Sequence, residues 1–377
     1  MNRVTLQFLF VIIIMAGCKE DFAPPVIQKD INYLVVDGFL NNSSDTTFIR
    51  LSRTKKLDQN VRESKETGAQ LFVEDENANA LYSFTELPDS GKYFVPGMNL
   101  SFNQKYRLRI ITTGGAQYLS EEINVIKTPA IDSISFGRMN NSLAIYANTH
   151  DPLNNTRYYR WEYTETWHYR AAFFSALISE NGGIFDRPAD KYIFDCWKTQ
   201  DNKQILLGSS AILEKDIIYH FPVRLIDINA VELSIKYFIL LRQYALTKEA
   251  YTYTENLKKI TEQTGSLFDA QPSEINGNIH SVENPGETVL GYLTACTRET
   301  KQLYITNEEV QPWDYRPACV IVEIPIERVA GSFNGNSLIP LSFDGGGPSV
   351  KGVYATSYQC GDCTSQGGVT TKPPFWQ

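Results

Sequence analysis

Six short runs follow one another between Asn32 and Thr128: YLVVDGF, TTFIRLSR, AQLFVEDE, LYSFTEL, YRLRIITT and EEINVIKT. Each is rich in β-branched and aromatic residues and too short for a typical helix. Turn sequences such as DSGK, PGMN and TGGA stand between them. Closely spaced short strands with turn punctuation predict an antiparallel two-sheet arrangement, because each strand has one face to bury. The expectation is therefore an immunoglobulin-like β-sandwich over residues 31–128, ending near Pro129.

The remaining residues, 129–377, continue in the same idiom and predict a second β-sandwich-like domain. It opens with IDSISF and SLAIYANT. The segment YYRWEYTETWHYR alternates with period two: Tyr159, Trp161, Tyr163, Trp167 and Tyr169 fall on one face. Arg160, Glu162, Thr164, Thr166 and His168 fall on the other. The aromatic stripe suits the core face of a strand. If exposed, it would instead be a sugar-stacking platform carried by Trp161 and Trp167. One helix is predicted near 247–264, inserted between the strands KYFILLRQYAL and ETVLGYLTACT. Thr247 suits its N-cap and Gly265 its C′ position, and Ala250, Tyr253, Leu257 and Ile260 make one apolar stripe. The fold class is thus mainly β with one inserted α-helix.

The first residues concern location rather than fold. Arg3 precedes an apolar run from Val4 to Met15, which ends in Ala16 and Gly17 before Cys18. That run is too short to span a bilayer and reads as a secretory signal over residues 1–17. A cysteine after two small residues resembles a bacterial lipobox, with Met15 in place of the usual leucine. The resemblance implies cleavage before Cys18 and acylation of its side chain, which makes a durable anchor. Lys19, Glu20 and Asp21 resemble the surface-export signal of Bacteroidota lipoproteins. Residues 18–30, with Pro24 and Pro25, read as a lipidated tether. The expected address is the outer membrane, lipid-anchored and facing the medium.

Composition narrows the function classes. The net charge of −8 and the lack of a basic tract argue against nucleic-acid binding. With Cys18 assigned to lipid, Cys196, Cys296, Cys319, Cys360 and Cys363 remain as disulfide candidates. Five is odd, so at least one is free or bonds another chain. Spacing does not give the connectivity; Cys319 is expected to pair with one of the last two. Cys360-Gly361-Asp362-Cys363 has redox-motif spacing, but too little chain follows for the fold such a motif needs. It reads as a structural disulfide clip. His150, His168, His220 and His280 are scattered and suggest no metal site, no cofactor is implied, and no nucleophile elbow appears. The triplets at Asp45-Thr46-Thr47 and Asp132-Ser133-Ile134 resemble a short O-glycosylation acceptor, making Thr46 and Ser133 candidates.

Longer stretches carry a family resemblance. NYLVVDGFLN with TTFIRLSRT, the middle RQYALTKEAYTYTENLKKITEQTGSLFDAQPSEINGNIH, and the ending CGDCTSQGGVTTKPPFW are similar to the Bacteroidota lipoprotein family catalogued as domain of unknown function 4249. The resemblance implies an outer-membrane lipoprotein found beside TonB-dependent barrels, and it supplies no catalytic residues. The expected function is non-catalytic: nutrient capture or barrel support beside such a transporter. The alternatives are a stand-alone adhesin or glycan-binding module, with a glycan or peptide ligand, and a hydrolase with an unrecognised site. At the terminus, Phe375 and Trp376 are expected to dock against the chain's own body.

Overall fold

The computed structural model describes residues 32–55, 64–262, 277–333, 335 and 337–377. The signal segment, Cys18, Lys19, Glu20, Asp21 and Gly265 lie outside the described residues. The molecule is mainly β, with 48% of the described residues in strands and 13% helical. Among the described residues no helix is long and apolar enough to cross a membrane.

The N-terminal unit is built from two sheets around one core. In the first, strands Leu34–Gly38, Thr47–Arg53, Lys92–Val95 and Thr85–Leu87 lie side by side, with Ser64–Lys65 on Thr47–Arg53. The second centres on Lys105–Ile111, flanked by Gln70–Asp75, Gln117–Ser120 and Ile123–Ile126. Alternation explains the packing: Thr47–Arg53 buries Thr47, Ile49 and Leu51 while Phe48 and Arg50 face out. Those side chains meet Leu71, Leu108, Ile110 and Tyr118 from the opposite sheet.

Chain order misplaces one stretch of this unit. Ile279–Ser281 pairs with Gln117–Ser120, and Ala295–Cys296 runs parallel to both Leu40–Asn41 and Ile123–Ile126. Ile279, Val289, Leu293 and Ala295 join the N-terminal core. The chain therefore leaves residues 31–128, builds most of a second unit, and returns before crossing again. A linear boundary at 128/129 does not describe it, because the return depends on strand pairing over long separations.

The second unit faces a three-stranded sheet, Ile131–Met139, Ser142–His150 and Ile217–Asp227, against a five-stranded one. In the latter, Tyr158–Arg170 lies between Lys236–Leu246 on one side and both Asp195–Asp201 and Leu206–Ser209 on the other. Arg298–Thr306 completes it beyond Lys236–Leu246. The aromatic stripe is this unit's core: Trp161 is 0% exposed and Trp167 4%. Trp161 stacks on Phe221 at 4.3 Å and donates its indole N–H to Gln243 Oε1 at 2.8 Å. Gly208 leaves room for it, since a Cβ there would stand 2.7 Å from the indole. A sugar-stacking platform at Trp161 and Trp167 is therefore excluded; both rings contribute burial energy instead.

The helix spans Lys248–Glu262, and Thr247 Oγ1 accepts from the Ala250 N–H at 3.1 Å as an N-cap should. Of its expected apolar stripe only Ala250 is buried; Tyr253, Leu257 and Ile260 are half-covered. Tyr251 and Tyr253 instead pack against Tyr158 and Tyr292.

A small C-terminal sheet of Val322–Pro325, Gly352–Ser357 and Leu338–Asp344 lies inside the loop closed by one disulfide and is tied to the second unit by another. Cys196 bonds Cys363, and Cys319 bonds Cys360. The two cysteines of the C-x-x-C sequence thus do not join each other; each holds a distant strand or loop. Cys296 is the free one, fully buried at the return crossing, and burial pushes its thiol pKa up to about 12.

Beyond Cys363 the tail lies along the five-stranded sheet. Val369 exchanges backbone hydrogen bonds with Trp197, and Tyr304 donates to the Phe375 carbonyl at 2.6 Å. Trp376 is buried, edge-on to His168 and Tyr304. Phe375 packs on Phe238. Deleting residues 373–377 is expected to cost about 2–3 kcal/mol, the burial of one large aromatic with its neighbours. A melting temperature equal to that of the full chain would show that the tail contributes nothing.

Candidate functional site

Where the two units meet, the chain opens a cleft of about 510 Å3. Its geometry follows from strand alternation. Burying Tyr159, Trp161 and Tyr163 on one face sends Arg160 and Glu162 to the other. Register then sets Arg160 opposite Tyr244, Glu162 opposite Arg242, and Tyr244 opposite Arg298. The polar face of three neighbouring strands becomes one wall of the cleft.

The opposite wall comes from the N-terminal unit. The chain passes from one sheet to the other at Gly38, whose φ of +144° and Cβ position 2.6 Å from the Phe48 carbonyl favour glycine. That kink delivers Phe39 edge-on to the Tyr244 ring at 4.8 Å and places Asn41 in the cleft wall. Arg298 begins its strand just after Ala295–Cys296, at the crossing between units, and pairs with Asp45.

Charges in this wall are only partly matched. Arg160 holds Glu162 at 2.5 Å, and the Tyr244 hydroxyl donates to the other Glu162 oxygen at 3.0 Å. Burial first, and then the Glu162 charge, push the Tyr244 pKa up, so the phenol stays protonated and donates. Asp201 accepts from Thr164 at 2.5 Å. The side chains of Arg242 and Lys203, by contrast, make no hydrogen bond or ion pair among the described residues. Two buried polar atoms in the cleft residues are also unpartnered: Asn41 Oδ1 and Arg298 Nε.

A second cleft of about 470 Å3 lies across the loop 202–205. Its floor holds Glu165, 1% exposed, which shares the aromatic face of Tyr158–Arg170. Glu165 accepts from Gln200 at 2.6 Å, Tyr237 at 2.6 Å and Arg224 at 2.9 Å. In the sequence its one signal is a lone carboxylate at an odd position of the aromatic stripe, which the alternation reading passes over. Two further buried carboxylates are equally engaged. Glu74 holds Arg107 and Arg109, and Asp216 accepts from Tyr159 and Ser210. Such groups hold structure and have no free oxygen for acid–base work.

Other sequence candidates scatter. Thr46 is half-buried and lines the first cleft, whereas Ser133 is exposed on an edge strand and accepts from Asn148 at 3.0 Å. His150 pairs with Asp132, and His168 lies between Trp197 and Asp195. Among the described residues no group of three or more His, Cys, Asp or Glu side chains is arranged to hold a metal ion.

Comparison with family models matches residues 19–302 to one described as Domain of unknown function (DUF4249). Comparison with curated proteins finds no match. The terminal pattern from Cys360 to Trp376 lies beyond the matched residues.

Proposed function

The chain belongs to the DUF4249 family, and from that premise and the cleft we propose a non-catalytic, lipid-anchored receptor on the outer membrane that captures a nutrient for a TonB-dependent barrel. The observation that carries capture is the cleft, with the partnerless cations Arg242 and Lys203 in a lining that also holds the Phe39 and Tyr244 rings. The full engagement of Glu74, Glu165 and Asp216 favours binding over hydrolysis, because a general acid or base needs a free oxygen within reach of substrate. The anchor rests on the signal segment and Cys18, and surface exposure on Lys19, Glu20 and Asp21. The partnership with a barrel rests on the family resemblance. Burial of Trp161 and Trp167 removes the exposed rings on which a glycan-binding adhesin would have rested.

Mild-detergent purification of the tagged protein from its own membranes, followed by mass spectrometry, tests the partnership. A TonB-dependent barrel is expected in stoichiometric amount. Recovery of the lipoprotein alone, under conditions where stable complexes survive, would count against the partnership and favour a free-standing binder.

A further inference from the structure

We infer that the cleft between the two units binds a small oxyanion that also carries hydroxyl donors, the chemistry shared by sugar acids and sugar phosphates. The inference deepens the capture reading and rests on it for the setting in which ligand is met.

Charge comes first. The chain as a whole is acidic at −8, yet four cations line this cleft against two carboxylates, Glu162 and Asp201. Glu162 faces Arg242 across the strands, but its oxygens are taken by Arg160 and Tyr244. With Arg298 paired to Asp45, Arg242 and Lys203 face one acid without a cation partner, Asp201, so the cleft keeps one positive charge in excess. A guanidinium presents a planar fork that matches carboxylate or phosphate, which a neutral ligand cannot exploit.

Hydrogen-bond accounting adds the second requirement. Asn41 is 1% exposed, and its amide nitrogen donates to Ser43 Oγ at 2.8 Å. Its amide oxygen then accepts nothing, although it is buried. In the same wall Arg298 gives one N–H to Asp45 while its Nε is buried and donates to nothing. An orphaned acceptor calls for a donor, and an orphaned donor for an acceptor. A ligand hydroxyl meets the first need and an oxyanion the second. The cleft's volume of about 510 Å3 suits a ligand the size of one or two sugar rings.

The test is calorimetric titration of the detergent-solubilised mature lipoprotein with glucuronate, glucose 6-phosphate and glucose. Saturable binding of at least one anion at millimolar concentration or below is expected, with glucose much weaker. Arg242→Gln should weaken that binding by about tenfold with the melting temperature unchanged, since no folded-state ion pair is lost. Lys203→Gln, at an exposed position, serves as the second variant. Binding of glucuronate alone assigns the carboxylate form, and of glucose 6-phosphate alone the phosphate form. Glucose binding as tightly as either anion overturns the inference. So does the failure of both anions to saturate, in which case water satisfies Asn41 and Arg298. An affinity indifferent to both substitutions overturns it as well. Because no barrel takes part, failure here leaves the co-purification result standing, and a missing barrel leaves this titration standing.

Discussion

Replacing Cys196 and Cys363 together by serine is expected to destabilise the oxidised protein by about 5 kcal/mol. The bridge closes a span of 167 residues, and loop-closure entropy grows with the logarithm of that span. The Cys319–Cys360 bridge spans only 41 residues and is worth about 4 kcal/mol on the same reasoning. Native contacts reinforce the ordering. Tyr169 donates its buried hydroxyl to the Cys363 carbonyl at 2.7 Å, and the Cys363 N–H donates to Ile193 at 3.0 Å. Both hold the start of the tail whose end carries Trp376. A domain's whole stability is about 5–15 kcal/mol, so this loss moves the protein toward unfolding at physiological temperature. Denaturant unfolding of each double-serine variant measures the difference directly. A larger loss from Cys319 and Cys360 than from Cys196 and Cys363 would mean that local packing of the C-terminal sheet, and not chain entropy, sets the value of these bridges.

Much of this architecture was legible because the β pattern is local. Alternation in Tyr158–Arg170 placed Trp161 and Trp167 on one face and Arg160 and Glu162 on the other, and the structure keeps that division. Thr247 was legible as a cap because capping needs only the next few residues. The cleft was not legible, because it depends on which strands become neighbours. Nothing near Arg160 in the sequence announces Arg242 or Arg298, which reach it through register with strands 82 and more residues away. The return of Ile279–Ser281 and Ala295–Cys296 to the first unit is likewise a long-range pairing. Chain order alone assigns those residues to the wrong neighbours. The aromatic stripe illustrates the remaining ambiguity: period two says that five rings share a face, but burial of that face depends on the opposing sheet, here Leu143, Ile145 and Ile226.

Truncating Glu165 to alanine is the second change with a large expected effect, about 3–5 kcal/mol. The carboxylate is 1% exposed and holds three donors, so the variant leaves them without their acceptor in a low-dielectric interior. Arg224 suffers most. Burial alone would lower its pKa, but the Glu165 charge and hydrogen bond more than offset that, so the guanidinium stays charged next to the second cleft. Its other acidic partner, Glu232 at 3.3 Å, is longer and more exposed. The Tyr237 hydroxyl is equally dependent, since burial and then the Glu165 charge keep it protonated and donating. Glu165→Gln keeps the shape and part of the hydrogen bonding, so a smaller loss of about 1–3 kcal/mol is expected. The pair Glu165→Ala with Arg224→Ala separates the two physical explanations. If the cost comes from an uncompensated charge, removing Arg224 as well recovers part of it, and the double variant is more stable than the sum of the singles predicts. Strict additivity would instead place the cost in lost packing beneath the 470 Å3 cleft, with Arg224 free to turn toward solvent.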